Sequence, residues 1–462
     1  MYAVPQTKEA FKLFMDGEEA LTRASINGMK VDVAYMKTQK PEIIRQCEEL
    51  KVTFLDTTNL GQSWVRKYGT RADIDSPSQM VEVLKTVGFD KFKTTAKGNL
   101  STDKSVIEKL PYDESSLLLK RNQLKTLWQN LLAKSIIECD QYGFIHPNFN
   151  LHKVRTFRGS CDGPNLQNQP KHNEMQKNII RRAFLPRTAD RMLMELDLRG
   201  NEVSCGCSIH HDANMLRFLS DATADMHKEV GMHYWMAGED IFTKDLRKSV
   251  KGPFVFAGFY GAGADSMAHN LWEWANEKNP TLKNDVKLLD HLKGKGINTF
   301  DDILEHTKKE YEWFWFDLFK SYGEWKEDQW ELYKKQGFLD YPTGFRVIEK
   351  MLKTQAINTV IQGSSFHVLL ASLIELQRRF DKYKMQSLII GQIHDSVIID
   401  AVANEVQMIY DMYLESQDAV RKRWQWIVYP IVVEADLGAP GAPWSELKEQ
   451  GPITHGGTRY AA

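Results

Sequence analysis

Apolar residues near the start of the chain recur at helical spacing. Within residues 8–50 this spacing runs through Phe11, Phe14 and Leu21, which predicts an amphipathic helix. Asn27-Gly28 is typical of a turn, and the apolar residues that follow it predict a short extended segment. The pattern therefore predicts a helix that leads into a strand.

The next stretch predicts two helices separated by a loop. Ser76-Pro77 is typical of a helix start, because Ser accepts hydrogen bonds from the first amides and Pro suits the first helical position. Gly98-Asn99 breaks the pattern, and Ser101 or Thr102 is the next candidate cap. Residues 117–132 then predict a long amphipathic helix. We expect a lobe of antiparallel helices in this part of the chain.

The second half of the chain predicts helices followed by strands. Residues 226–350 have helical spacing and are rich in tryptophan, whose side chains we expect in the core. A further helix is predicted from Asn358 to about Phe380. Residues 387–402 then place two β-branched runs around His394-Asp395. This arrangement predicts a hairpin with an acid at its tip.

Composition narrows the class of protein. A chain of 462 residues has room for about three compact units, and its 42% hydrophobic residues can build a substantial core. A small disulfide-stapled module and a disordered chain are both excluded. The five cysteines lack paired spacing, which favours a reducing compartment and predicts a cytoplasmic protein. No apolar run approaches the ~18 residues of a membrane span, so no membrane partner is expected.

The formal net charge of -1 argues neither for nor against a polyanionic partner. Only the local distribution of charge along the chain is informative. The segment 151–191 is strongly basic, which predicts contact with a polyanion. A solvated basic surface is the alternative interpretation of such a segment. Its nine basic residues, set against three acids, are Lys153, Arg155, Arg158, Lys171, Lys177, Arg181, Arg182, Arg187 and Arg191.

Two predicted strands each deliver one aspartate. The run MLMELD ends in Asp197, and the run LIIGQIHD ends in Asp395. Neighbouring strands lie ~4.8 Å apart, so two acids at matched positions can share a pair of divalent cations during phosphoryl transfer. Mg²⁺ suits such a site, since it accepts a few carboxylates together with substrate phosphates. Either aspartate alone would more simply be a turn or cap residue.

The sequence around these acids resembles the polymerase domain of a family A (DNA polymerase I-like) DNA polymerase. Three motifs carry most of the resemblance: DLRGNEVS is similar to motif A, LRKSVKGPFVFAGFYGAG to motif B, and QIHDS to motif C. TFRGSCDGPNLQNQP and INTVIQGSS also resemble family segments, as do EALTRASINGMKVDVAYM, DSPSQMVEVL and TTAKGNLSTDKSVIEKL toward the N-terminus. The motifs occur in family order and span nearly the whole chain.

The resemblance implies an α+β fold shaped as a right hand, with an antiparallel β-sheet palm and mostly helical thumb and fingers. The resemblance implies that residues 1–50 are the entry to palm and thumb, 51–135 the thumb, 136–225 the palm with motif A, 226–350 the fingers with motif B, 351–449 the palm with motif C, and 450–462 a loose tail.

The resemblance also implies the residues that carry out catalysis and hold metal. Asp197 and Asp395 would hold two Mg²⁺ ions, with the backbone carbonyl of Leu198 completing one site. Lys251 would lie near the α-phosphate and could supply the proton for the leaving group.

Further residues are implied for the incoming dNTP and for primer-template DNA. Arg247 and Lys251 would hold the triphosphate, Phe256 would stack on the base, and Tyr260 would lie at the template-base pocket. Glu202, hydrogen-bonded to Tyr260, would form a steric gate against the ribose 2′-OH. The residues implied for DNA contacts are Arg158, Asn358 and Gln362, which would read the minor groove, and His394 at the primer terminus.

Several positions depart from the family pattern. Ser396 replaces the second acid of motif C, and Thr354 replaces an arginine whose contact Lys353 could supply. Arg199 stands where a small residue is usual. Motif B has one extra residue between Lys251 and Phe256, which a regular helix would point roughly 140° apart. Because Gly252-Pro253 lies in this interval, we predict an interrupted or bulged helix there.

The resemblance suggests a role in phage DNA replication, with a separate exonuclease or processivity partner. About twenty residues precede the polymerase-like entry, whereas a proofreading or 5′ nuclease domain would need on the order of 150–200 residues. We therefore expect neither nuclease in this chain.

Other interpretations stay open or are disfavoured by particular residues. A zinc site at Cys205, Cys207, His210 and His211 is disfavoured, because the two cysteines are two residues apart and on a helix would point about 200° away from each other. FYGAGADS lacks the Gly-Lys-Ser/Thr ending of a P-loop. A single-subunit RNA polymerase is the nearest alternative, and Glu202 beside Tyr260 argues against it. A non-catalytic nucleic-acid-binding subunit would be expected to have lost Asp197, Asp395 or Lys251.

Overall fold

The computed structural model describes residues 3–95, 98–168, 174–221, 223–429 and 431–453. Together they form an α+β fold in which helices surround small antiparallel sheets. The N-terminal elements are β1 (Ala3–Pro5), α1 (Lys8–Asn27), β2 (Met29–Val31), α2 (Val33–Thr57), α3 (Asn59–Tyr68), α4 (Pro77–Thr86), α5 (Lys104–Ile107), α6 (Tyr112–Thr126) and α7 (Ala133–Glu138).

The central elements alternate between strands and helices. They are β3 (Phe144–Ile145), β4 (Asn148–Asn150), β5 (Ser160–Asp162), α8 (Glu174–Arg181), β6 (Phe184–Leu185), β7 (Arg191–Leu198), α9 (Asn201–His210), α10 (Ala213–Ser220), α11 (Met226–Tyr234), α12 (Lys244–Val250), α13 (Ala257–Phe259), α14 (Ala264–Lys278), α15 (Leu288–Gly294), α16 (Phe300–Glu312) and α17 (Lys320–Gln336). Within the described residues, Leu127–Leu132, Lys251–Phe256 and Trp313–Leu318 are π-helical, and short 3-10 helices cover Gly69–Arg71, Leu166–Asn168, Ala403–Glu405 and Trp444–Glu446.

The C-terminal elements return to a sheet. They are β8 (Leu339–Asp340), β9 (Phe345–Val347), α18 (Lys353–Tyr383), β10 (Leu388–Ile393), β11 (Ser396–Val402), α19 (Val406–Arg423), β12 (Val433–Leu437) and β13 (Lys448–Pro452).

The main sheet has the strand order β10-β11-β7-β12-β13, and every neighbouring pair is antiparallel. The predicted hairpin is confirmed as β10 and β11, and β7 lies directly beside it. Strand β7 is thus central, with the hairpin on one side and β12 on the other. The strand that carries Asp197 and the hairpin whose turn carries Asp395 are therefore neighbours.

Apolar side chains form three buried clusters. The first core joins the main sheet to α1, α18 and α19, with Leu196, Ile398 and Leu369 fully buried. The second core fills the space among α11, α12, α14 and α16, and the third joins α2 to α6. Each cluster supports a separate part of the chain, and the first core supports the sheet that carries the candidate acids.

Helix α18 is long and apolar enough to cross a membrane by composition alone. Its most apolar stretch is 89% buried inside the protein, as expected of a core helix. The helix begins at Lys353 rather than at Asn358, because Gln355 Oε1 accepts a 2.9 Å hydrogen bond from the Leu352 amide and extends the first turn.

The helix starts predicted near the N-terminus are confirmed at one position and wrong at another. Ser76 caps α4 with Pro77 at its first position. The cap of α5 is Asp103 instead of Ser101 or Thr102, and Ser101 Oγ accepts a hydrogen bond from the Asp103 amide. The carboxylate of Asp103 reaches the Val106 amide, so the helix starts after it.

Three further expectations need correction. Phe11 is 57% exposed, whereas Leu13 and Leu21 carry the buried face of α1. Within the region predicted to be helical, residues 339–347 form β8 and β9, and β9 pairs with β1. The loose tail was predicted to begin at residue 450, but residues 450–452 belong to β13, which pairs with β12. Residues 454–462 of that tail lie outside the described residues, as do 96–97 and 169–170 of the quoted motifs and Lys171 of the basic segment.

Candidate active site

Asp197 and Asp395 meet at one edge of the main sheet. Asp197 lies near the end of β7, and its cross-strand partner in β11 is Ser396, which directly follows Asp395. The amide of Leu198 donates a 3.1 Å hydrogen bond to the carbonyl oxygen of Asp395. The strand register and this backbone bond therefore place Asp197 and Asp395 next to each other at the end of the hairpin.

The turn that presents Asp395 is held by two glutamines. His394 adopts a left-handed conformation with φ 55°, which is uncommon for a residue with a side chain. The side-chain amide of Gln392 donates to the His394 carbonyl, and Gln392 Oε1 accepts a 3.0 Å bond from Gln167 Nε2. Sequence reasoning missed Gln167 and Gln392 as supports, because their partner groups are 225 residues apart in the chain.

Ser396 and Arg199, the two departures nearest the acids, both have identifiable contacts. Ser396 Oγ donates a 2.8 Å hydrogen bond to Asp197 Oδ1 and so orients that carboxylate. On the other side of β7, Glu434 of β12 is the cross-strand partner of Asp197. Arg199 lies 3.5 Å from Glu434, which balances part of the negative charge at this edge. Burial, followed by the charge of Asp197, raises the pKa of Glu434.

The donor set at this edge suits a hard cation. Carboxylate and carbonyl oxygens are the ligands that Mg²⁺ prefers, and Asp197, Asp395 and the Leu198 backbone can offer them. Across the described ranges, no three or more His, Cys, Asp or Glu side chains are grouped to hold a metal ion by themselves. An Mg²⁺ ion bound here would complete its coordination with water or substrate oxygens.

Glu202 lies in the first turn of α9, where the chain leaves the acidic edge. Tyr260 Oη donates a 2.8 Å hydrogen bond to Glu202 Oε2, and Arg158 lies 3.4 Å from Glu202 Oε1. Asn358 Nδ2 donates a 3.0 Å bond to the Tyr260 carbonyl. Burial, followed by the negative charge of Glu202, raises the pKa of Tyr260. Four residues predicted separately from the sequence are thus one connected group.

A cleft joins this group to the helix that precedes Tyr260. Its walls include Glu202, Phe256, Tyr260, Asn358 and Gln362. A second cleft of about 240 Å³ lies behind it and is lined in part by Thr354, Asn358 and Gln362. The structure therefore brings Phe256 and Gln362 to the same opening as Glu202.

The extra residue of motif B, between Lys251 and Phe256, is accommodated by a local change in helix type. Residues Lys251–Phe256 form a π-helical turn, in which the Ala257 amide bonds to the Gly252 carbonyl five residues back. Such a turn places residues five apart on one side. Lys251 Nζ accordingly lies 5.9 Å from the centre of the Phe256 ring. The predicted bulge is confirmed.

The cationic residues of this helix surround His227, which sequence reasoning missed. The His227 ring lies 5.5 Å from Phe256, and Arg247 Nε donates a 2.6 Å bond to Asp225, the cap of α11. Burial, together with the nearby charges of Lys251 and Arg247, lowers the pKa of His227 to about 4. A lone histidine at a helix start gave no signal by itself. In the sequence, only Asp225, two residues earlier, indicated that a helix begins near His227.

Lys353, which could supply the contact expected of the missing arginine, already has a partner in this structure. Lys353 Nζ lies 2.6 Å from both carboxylate oxygens of Glu327.

Cys205 and Cys207 are both buried in α9, and burial raises the pKa of Cys207 to about 12. Such a thiol stays protonated at neutral pH and is a poor metal ligand.

Comparisons with known proteins place the chain in a family. The chain is 24% identical to DNA polymerase I of Geobacillus stearothermophilus over 400 residues, which are 84% of this chain and 41% of that protein. It is 24% identical to DNA polymerase theta of Drosophila melanogaster over 412 residues, 83% of this chain and 18% of that protein. The chain thus spans less than half the length of these curated relatives.

A solved structure shares the fold. It is the POL domain of Pol1 from M. smegmatis in complex with DNA primer-template and dNTP, with a TM-score of 0.73 and 20% sequence identity. The match covers 94% of this chain and 70% of that one. A family model described as DNA polymerase family A matches residues 45–284 and 329–440. The chain therefore belongs to DNA polymerase family A.

Proposed function

We propose that this chain extends a DNA primer along a template with dNTPs. The observation that carries the proposal is the pairing of Asp197 with Ser396, because this register brings Asp197 next to Asp395 at one end of the main sheet. Membership of DNA polymerase family A and the likeness to a POL domain that binds primer-template and dNTP support it.

Asp197 and Asp395, with the Leu198 carbonyl, would hold two Mg²⁺ ions, which when bound stabilise the attacking and leaving oxygens of an in-line displacement. Ser396 would keep the Asp197 carboxylate turned toward the site through its 2.8 Å bond. The His394 turn, held by Gln392, would keep Asp395 and the primer-end contact of His394 in fixed positions.

The π-helical turn allows Lys251 and Phe256 to act on one nucleotide. Lys251 would lie at the α-phosphate and supply a proton to the leaving group, while Phe256 would stack on the base. Arg247 is bonded through Nε to Asp225, an arrangement that orients its guanidinium for contact with the outer phosphates. His227, between these cations and Phe256, joins the proposed nucleotide site.

Glu202 and Tyr260 would exclude a ribose 2′-OH. Their 2.8 Å hydrogen bond fixes the carboxylate where the sugar of a bound nucleotide would lie. Arg158, Asn358 and Gln362 would contact the minor groove of the primer-template, where correct base pairs share acceptors. The contact between Glu202 and Tyr260 favours dNTPs and so disfavours the RNA polymerase alternative.

The proposal assigns right-hand roles to the three parts of the fold. The main sheet corresponds to the palm, the helices around the second core to the fingers, and the helices around the third core to the thumb. A cytoplasmic location, a role in phage replication and a separate exonuclease or processivity partner stay predictions from the sequence.

The test is primer extension by the purified chain with Mg²⁺, with templates that call for each base in turn. We expect incorporation that follows the template and prefers dNTPs. Incorporation that ignores the template, or a preference for rNTPs, would contradict the proposal. Binding of primer-template without extension would favour the non-catalytic alternative.

A further inference from the structure

Helix α17 binds the far end of the helix that carries the proposed nucleotide contacts. Lys326 Nζ donates a 3.4 Å hydrogen bond to the Gly258 carbonyl, and Tyr322 Oη donates a 3.4 Å bond to the Phe259 carbonyl. These carbonyls belong to the last turn of α13, and the Gly258 carbonyl also accepts a 3.0 Å hydrogen bond from the Gly261 amide. Side chains of α17 thus cap the turn that directly precedes Tyr260.

Lys326 is enclosed at this contact. It is 6% exposed, and its Nζ lies 3.5 Å from the centre of the Trp315 ring, a cation–π contact. The helix end also approaches the same ring closely, since a Cβ added at Gly258 would lie 3.3 Å from Trp315 Cζ2. Trp315 and Lys326 lie in residues 285–328, between the two stretches that match the family model.

We propose that Lys326 is a positioning residue that fixes the turn before Tyr260 and so keeps the Tyr260 hydroxyl on Glu202. Lys326 acts through the backbone, because its bond ends on Gly258, two residues before Tyr260. The proposal rests on the proposed polymerase function. It adds a residue outside the family motifs to the control of sugar selection.

The charge on Lys326 adds a pH dependence to this role. Burial lowers the pKa of Lys326 to about 7, while Glu327 opposes the shift and Lys353 reinforces it. Tyr311 lines the same cavity of about 270 Å³. As pH rises through neutrality, the ammonium loses its proton and the cation–π contact weakens. Discrimination against rNTPs is then expected to fall as pH rises from about 6 to about 8.5.

The test compares Lys326→Met with Lys320→Met by single-nucleotide incorporation of dNTP and rNTP across this pH range. Met keeps most of the side-chain volume without the charge, and Lys320 is an exposed residue of the same helix. We expect Lys326→Met to lower the dNTP preference about fivefold at pH 6 and to remove its pH dependence. Lys320→Met should match the wild type. The melting temperature of Lys326→Met should hold or rise, because an apolar side chain replaces a buried charge.

Two results would overturn the inference. One is a dNTP preference and pH profile in Lys326→Met that match the wild type. The other is a loss of preference accompanied by an equal loss in Lys320→Met or by a lower melting temperature, which indicates a general structural role. If the wild-type chain does not extend a primer, the proposed function fails and this inference fails with it. If the wild type extends normally and Lys326→Met is unchanged, only the inference fails.

Discussion

The Tyr260 hydroxyl donates a 2.8 Å hydrogen bond to Glu202 Oε2 across 58 residues of sequence. Glu202 follows the Asp197 strand, whereas Tyr260 ends the helix that carries Lys251 and Phe256. The bond therefore connects the acidic edge of the main sheet to the proposed nucleotide-binding helix. In the proposed function, the sugar of the incoming nucleotide lies beside this bond.

Removing this carboxylate should admit ribonucleotides. We expect Glu202→Ala to lower the preference for dNTP over rNTP by at least about tenfold, because roughly 1.4 kcal/mol of selective exclusion is lost. Single-nucleotide kinetics with paired dNTP and rNTP measure the ratio. Tyr260→Phe keeps the ring but removes the hydrogen bond, so it should produce a smaller change in the same direction. An unaltered ratio in Glu202→Ala would show that sugar selection lies elsewhere.

The π-helical turn predicts which lysine contacts the phosphates. Lys251 shares a side with Phe256 only because the turn is π-helical, whereas an unbroken α-helix would place Lys248 there instead. We expect Lys251→Ala to lower the incorporation rate at saturating dNTP about a hundredfold, a typical loss for one charged group at a reacting phosphate.

Lys248→Ala is the matched comparison for Lys251→Ala, since it removes the same charge three residues earlier. Its incorporation rate should stay within about threefold of the wild type. A larger loss in Lys248→Ala than in Lys251→Ala would mean that the register of this helix is wrong.

Acid should destabilise the fold through His367. This ring is fully buried in the first core, its Nδ1 lies 2.6 Å from Thr343 Oγ1, and burial lowers its pKa to about 3. The unfolded chain binds a proton near pH 6.5, so stability is lost as pH falls from there toward 3. The loss is about 1.4 kcal/mol per pH unit.

Urea unfolding between pH 7 and pH 5 measures this slope. His367→Gln should reduce the slope by close to one proton, whereas His152→Gln, at an exposed position, should leave it unchanged. Equal slopes for His367→Gln and the wild type would show that His367 does not control the acid sensitivity.

The sequence predicted the parts of the fold and site in which one residue type is chemically distinctive. The two β-branched runs in residues 387–402 located the hairpin, and Gly252-Pro253 located the interrupted helix. The start of α5 was placed wrongly because Ser101, Thr102 and Asp103 are all capping residues, and only the fold selects among them. Strand β8 has two residues, too few to establish an alternating pattern.

The contacts between distant residues were beyond sequence reasoning. His227 is an ordinary histidine in the sequence, and only the packing of α11 against the π-helical turn brings it to Phe256. The bond from Ser396 to Asp197 likewise depends on a strand register that joins residues 199 positions apart. Local patterns carry no information on such pairings.

We propose that Asp197 and Asp395 act in the nucleotide-transfer step and not in DNA affinity. The direct measurement is single-turnover extension together with primer-template affinity for Asp197→Asn, Asp395→Asn and the control Asp436→Asn, an acid of β12 in the same sheet. We predict that each of the first two loses at least about a thousandfold in rate, equivalent to roughly 4 kcal/mol, with affinity within about threefold of the wild type. Asp436→Asn should extend normally. Extension near the wild-type rate by Asp197→Asn or Asp395→Asn would contradict the account.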